Sequence, residues 1–226
     1  EISRPVPALV PLCGSAEITK AMKGMRVREV ALTLKGDKII KKTQGEILFT
    51  DYGLSGIAAM ELAAPAQKYI DSVKRNPFTY IDFMPKMTYN DMVDYLQNLS
   101  NIKGFCNIDN LLTGFLPKAV GIAICKASNL YKSEKKISEL TAKEIKKIAE
   151  KIKNFPLEIT GTKGFVNSQV TSGGIKTDEI DPETMQSKKC RGLYFAGEII
   201  DVDGGCGGFN LQWAWASGML AGELKD

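Results

Sequence analysis

"GLYFAGEIIDVDGGCGGFNLQWAWASGMLAGE", residues 192–223, joins an apolar run, acidic residues, a glycine-rich loop and an apolar stretch at helix-compatible length. Leu193, Tyr194, Phe195 and Ala196 lie between Gly192 and Gly197, and a continuous apolar run of that length predicts a strand buried on both faces, as in a parallel sheet. Glu198 then stands at the carboxyl end of that strand, where open α/β sheets bind ligands and where a carboxylate can accept hydrogen bonds from a ribose or ribityl hydroxyl. The glycines of "DVDGGCGGFN" (201–210) permit positive φ and let a flat ligand approach the backbone. "FNLQWAWASGMLAG" (209–222) predicts a helix whose N-terminus, with free N–H groups and partial positive charge, is delivered to that ligand. "GGCGGFN" lacks the Gly-Lys-Ser/Thr ending of a Walker phosphate loop.

Working outward, the residues before this segment alternate between strand and helix signals. "VREVALTLKGDK" (27–38) sets Val30, Leu32 and Leu34 on one face of a strand, with a turn at Gly36-Asp37. "KIIKKTQGEILFT" (38–50) and "FTYIDFMP" (78–85) read as further strands. Ser55 is placed to cap a short helix that Pro65 would stop near Ala64. From Thr88 the period becomes helical, with Met92, Val93, Leu96 and Leu99 on one face. Residues 107–128 read as two short helices broken near Gly114, with Pro117 in a first turn. "LTAKEIKKIAEKIKNFP" (140–156) carries a Thr141/Glu144 capping box, an Ile145, Ile148, Ala149, Ile152 stripe and Pro156 as its stop. Strand signals return at 157–161 and 164–175. The expected fold is therefore α+β. A β-barrel-like domain (1–77 and 157–180) is interrupted by a helical insert (78–156). A C-terminal strand–loop–helix (181–226) follows.

The chain has 226 residues, is 44% hydrophobic and 25% charged, and carries a net charge of +4. These are globular proportions. No apolar run reaches the roughly 20 residues needed to span a bilayer, so no membrane partner and a cytoplasmic location are expected. The opening "EISRPVPALVPLCG" has no signal-peptide layout. It begins without Met and reads as the start of a domain fragment. The five cysteines show no C-x-x-C pair, which argues for reduced thiols and no metal site. With no histidine, Ser-His-Asp and Cys-His catalysis are excluded within this chain. Lys143, Lys146, Lys147, Lys151 and Lys153 crowd one helix. They read as a solvated face, so nucleic acid is not the expected partner.

Three phrases together carry a family resemblance. They are the closing segment; "QVTSGGIKTDEIDPETMQSKKCRGLYFAGE" (169–198) with its T-x-GG-[VI] and T-M-x-S-K elements; and "GEILFTDYGLSGIAAMELA" (45–63). "RPVPALVPL" (4–12) adds a fourth. They resemble the BaiN-type (aminoacetone-oxidase-like) bacterial NAD(P)/FAD-dependent oxidoreductases, most weakly over 88–153. The resemblance implies FAD as cofactor and NAD(P)H with a small organic substrate as reaction partners. It further implies that residues 181–226 belong to a Rossmann-type FAD/NAD(P)-binding domain, whose N-terminal half carries a G-x-G-x-x-G loop that holds the pyrophosphate, a phrase this sequence lacks. On that reading the chain is a fragment that binds FAD weakly or not at all by itself, and the edge of strand 193–196 is open to self-association.

The resemblance also implies roles. Gly197 and Glu198 would approach the ribityl and pyrophosphate region. Asp203, Gly204 and Gly205 would shape the loop. Gly207, Gly208, Phe209 and Asn210 would present backbone to the isoalloxazine pyrimidine edge. Thr171, Ser172, Gly173 and Gly174 would line the flavin from the returning strand, and residues 51–56 would border the substrate. Asp51 stands where the family often has His. Cys206 is read as structural. The catalytic group is not identified. The alternative reading is a non-catalytic binding module that contacts protein or nucleic acid through the lysine-rich helix 141–153.

Overall fold

The protein is described by a computed structural model covering residues 1–223, so the last three residues of the expected C-terminal part lie outside the described residues. The alternation at Val30, Leu32 and Leu34 becomes β3 of a closed six-stranded barrel. In chain order the strands are β1 (Ile2–Ala8), β2 (Leu12–Gly14), β3 (Arg26–Lys35), β4 (Ile39–Phe49), β5 (Gly53–Ser55), β6 (Phe78–Asp82), β7 (Phe155–Thr162) and β8 (Val170–Ile175). The barrel order is β2-β5-β4-β3-β6-β7, while β1 and β8 form a separate antiparallel ribbon. Leu32 faces Thr43 on one side and Ile81 on the other. Val30, Leu32, Leu34, Ile47, Phe49, Ile81, Leu157 and Ile159 are all fully buried inside the barrel.

The helical elements are α1 (Ala16–Lys20), α2 (Ile57–Met60), α3 (Ala63–Val73), α4 (Tyr89–Ile102), α5 (Lys118–Ala127), α6 (Ala142–Lys153) and α7 (Phe209–Gly222). The barrel extends past the expected boundary at residue 77. β6 and the start of β7 are barrel strands, so α4, α5 and α6 are inserted between them. These helices share one continuous core with the barrel, through Met92, Leu96, Val120, Ile124, Ile145, Ile148 and Ile152. The capping boxes Thr88/Asp91 and Thr141/Glu144 both form. They satisfy first-turn donors from within four residues.

Several local expectations fail. Ser55 ends β5 and leaves the N-cap of α2 to Gly56. Pro65 does not stop a helix. It sits in the first turn of α3, where the N–H it lacks has no intrahelical acceptor to lose. Pro117 is the N-cap of α5 rather than a first-turn residue, and the preceding segment is a single 3₁₀ turn at Ile108–Asn110. Lys153 also leaves the expected solvated face. It pairs with Asp82 at 2.7 Å and donates to the Met84 carbonyl at 2.8 Å, tying α6 to the loop after β6.

The expected strand at 193–196 is corrected. Tyr194 makes one isolated antiparallel bridge to Gln186, and Leu193 is 43% exposed. A strand buried on both faces needs a layer packed against each face, and the exposed Leu193 lacks that cover. Among the described residues the parallel contact is made instead by Ile200, beside Ile175, with the Asp201 N–H donating to the Ile175 carbonyl at 2.8 Å. Glu198 therefore lies in a 3₁₀ turn (Gly197–Ile199), not at a strand end. A small separate core of Ile180, Met185 and Ile200 holds this C-terminal unit, with Trp213 packed against it.

Candidate functional site

The residues that build the site come from three places. β8 supplies one wall, the 3₁₀ turn a second, and the loop before α7 the floor. A crevice of about 490 Å³ opens among Leu9, Val170, Thr171, Glu198, Gly207 and Trp213, with Gly205, Cys206, Gly208 and Asn210 also lining it. Glu198 Oε1 accepts the Thr171 N–H at 2.5 Å, which fixes the carboxylate at the mouth. Trp213 Nε1 donates to the Gly197 carbonyl at 3.1 Å, and Ser217 Oγ accepts the Gly197 N–H at 2.9 Å. Two positions of one α7 face thus clip the turn that carries Glu198.

The loop is itself clamped. Asn210 Oδ1 accepts the Gly204 N–H at 2.8 Å, and Asn210 Nδ2 donates back to the Gly204 carbonyl at 3.1 Å. Gly208 is the N-cap of α7 in the left-handed region, φ 89°, and contributes no side-chain cap. α4 and α6 are closed by threonine boxes, whereas the N-terminus of α7 offers its first-turn N–H groups uncapped at the crevice edge.

The expected site residues divide. Thr171, Glu198, Gly205, Gly207, Gly208 and Asn210 meet at the crevice. Ser172, Asp203 and Gly204 lie instead on an adjoining cleft of about 170 Å³, which shares Leu9 and Gly205 with the crevice. Gly173 and Gly174 line neither; they permit close packing. A Cβ on Gly174 would stand 2.3 Å from the Ile199 carbonyl oxygen, at φ 132°. Gly197 is the buried turn held by α7, and Phe209, 65% exposed, is not part of the crevice lining.

Within "DYGLSG", Gly53–Ser55 forms β5 of the barrel. Asp51 hydrogen-bonds Lys23 at 2.6 Å, which lowers its carboxyl pKa, so it remains an anion where an imidazole would titrate. Cys13 lies on the neighbouring strand β2; burial raises its thiol pKa, with the nearby Lys163 charge opposing the shift. All five cysteines are free thiols. No described helix is long and apolar enough to cross a membrane.

Residues 6–170 match the HI0933-like protein barrel and H2TH domain family. The chain belongs to this family. The match spans the closed barrel and its helical insert together. A 3-dehydro-bile acid delta(4,6)-reductase of Clostridium scindens is 33% identical over 98% of this chain and 54% of the relative. Ribosomal RNA dihydrouridine synthases of Escherichia coli and Haemophilus influenzae are each 29% identical over 78% of this chain and 41% of theirs. The chain thus spans about half the length of the curated relatives it matches.

In this HI0933-like chain three contributors to the site carried no sequence signal. Leu9, buried with φ 44°, bends the chain from β1 toward β2 at the edge of the crevice. Lys68 and Glu61 reach the site from the barrel-side helical region, with Ser172 lying 104 residues after Lys68. Trp213 and Ser217, which clip Gly197, lie on the helix expected at 209–222.

Proposed function

We propose that the chain forms the substrate-side and flavin-capping part of an FAD-dependent oxidoreductase. Such an enzyme transfers a hydride between NAD(P)H and an organic substrate through FAD. The observation that carries this reading is the crevice: a carboxylate at its mouth, a glycine floor and an uncapped helix N-terminus meeting at one edge. That donor set suits a ligand with hydroxyls, a flat ring and an electron-rich edge, and the apolar wall of Val170, Val202, Leu211 and Trp213 suits the ring's face. FAD, when bound, supplies the two-electron chemistry.

The chain's own residues then have defined work. Glu198, with one oxygen held by Thr171, keeps the other for a ligand hydroxyl. The N–H groups at the start of α7 stabilise negative charge on the ring edge. Val170, Leu211 and Trp213 exclude water from one side. A dinucleotide-binding half carrying the G-x-G-x-x-G loop would complete the pyrophosphate site and cover the apolar face of α7, where Leu211, Trp215 and Met219 are 63%, 64% and 70% exposed. The extended run 193–196 is open to pairing with the same half or with a second copy.

The test is NAD(P)H oxidation by the chain combined with FAD and such a half, using an enone as electron acceptor. Turnover lost in Glu198→Ala and in Asn210→Ala, at unchanged unfolding midpoint, supports the reading. Turnover equal to that of the parent chain in both variants contradicts it.

A second reading, RNA contact through the helical insert, has one observation in its favour. Residues 88–154 hold eleven lysines against seven carboxylates, so the whole net charge of +4 resides there. Lys143, Lys146 and Lys147 are exposed on α6. RNA binding that falls steeply with salt, and is lost when these three become Gln, would support it.

A further inference from the structure

The loop from Asp203 to Gly208 is held at three points, and two of the anchors come from the barrel-side helical region. Asn210 clamps Gly204 from within α7. The second anchor is a chain of three groups. Lys68 Nζ on α3 donates to Ser172 Oγ at 2.8 Å, and Ser172 Oγ donates to Asp203 Oδ1 at 2.7 Å. The third is Glu61, just after α2, whose Oε1 accepts the Cys206 N–H at 3.4 Å.

Ser172 is 1% exposed. A buried hydroxyl has one proton to donate and lone pairs to accept with. Here the ammonium occupies a lone pair, so the proton is directed at the carboxylate. The two charges orient the hydroxyl, and the hydroxyl transmits the pull of Lys68 to the first residue of the loop. Charged partners make both links stronger than neutral hydrogen bonds. The C-terminal unit has little else to fix this loop. Its own buried core is Ile180, Met185 and Ile200, none of them in the loop.

We infer that Lys68 is a positioning residue: through Ser172 it holds Asp203, and with Glu61 it lets the barrel-side helices set the conformation of the glycine loop at the crevice. The consequence for a cofactor rests on the flavin reading above. The geometry of the latch does not.

The experiment is amide hydrogen exchange on this chain, comparing the parent with Lys68→Met, Lys68→Arg and Ser172→Ala. Exchange reports local opening. The Gly204 and Cys206 amides are the readout, with Leu32 and Ile81 in the barrel as internal reference. Lys68→Met and Ser172→Ala are expected to speed exchange in the loop by about tenfold while the barrel amides hold, and Lys68→Arg, which keeps the cation, is expected to restore most of the protection. Unchanged loop exchange in Lys68→Met overturns the inference. So does equal acceleration of loop and barrel, because Lys68 would then act on global stability.

This readout needs no cofactor, so a failure of the flavin reading leaves it standing. In the FAD-loaded assembly, Lys68→Met is expected to weaken FAD binding by a similar factor. Unaltered FAD affinity despite a loosened loop would overturn the link to the cofactor while the latch itself remained.

Discussion

The barrel with its inserted helices and the C-terminal unit solve the burial problem differently. The first gathers some three dozen buried apolar residues into one cluster that runs from β2 through β7. The second buries three, and leaves Phe209, Leu211, Trp215 and Met219 of α7 largely exposed. α7 is apolar around most of its circumference. A helix of that composition is normally covered on more than one side. The difference teaches that the barrel is shaped by its own packing. The C-terminal unit is shaped by a few hydrogen bonds around Gly197, Gly204 and Gly174, which hold a surface ready for something else.

The widest break in the comparison should come from the barrel centre. Leu32→Ala is expected to cost about 2–5 kcal/mol and to shift the urea midpoint of the whole chain. A small shift would mean that the barrel core is not the main source of stability. Gly174→Ala comes next. Its Cβ would meet the Ile199 carbonyl at 2.3 Å, and the strain is expected to cost about 1–3 kcal/mol. Trp213 fluorescence should report it before barrel circular dichroism does. Simultaneous loss by both probes would erase the distinction between the two regions.

A finer test uses pH. Lys135 hydrogen-bonds Glu144 at 2.6 Å and, with the Thr141 backbone, lowers its pKa from 4.5 to about 2. A carboxylate with a depressed folded pKa contributes stability that is complete above its ordinary value and is lost as pH falls toward the folded one. Between pH 4.5 and about 2 the parent should therefore lose stability that Glu144→Gln does not. Solvent around this pair limits the effect to about 1 kcal/mol. Equal acid sensitivity in both proteins would remove Glu144 from the account. The smallest effect belongs to α7. Trp215→Ala should change unfolding free energy by no more than about 0.5 kcal/mol, because its ring contributes to no core of this chain. A larger loss would show α7 to be packed from within.

Legibility followed range. Signals that close within a few residues were readable: the Val30, Leu32, Leu34 alternation, the two threonine capping boxes and the extent of α7. The loop glycines and Glu198 were readable as a cluster for the same reason. Features set by distant neighbours were not. The run 193–196 has the apolarity of a buried strand, but burial depends on the layers packed against its faces, and composition does not report those. Pro65 reads as a stop until α3 is known to begin two residues before it. β1 pairs with β8 across more than 160 residues, and that ribbon is what brings Ser172 under the loop and Lys68 to its hydroxyl. No spacing rule connects them.

The flavin reading makes the crevice before α7 one part of the FAD site. The direct measurement is an FAD titration, followed by flavin fluorescence and by quenching of Trp213, on the chain alone and with a G-x-G-x-x-G dinucleotide-binding half added. The account predicts weak or undetectable binding alone, micromolar binding when the half is present, and loss of that binding in Glu198→Ala. Full FAD occupancy of the isolated chain, or binding with the added half that Glu198→Ala leaves untouched, would contradict it.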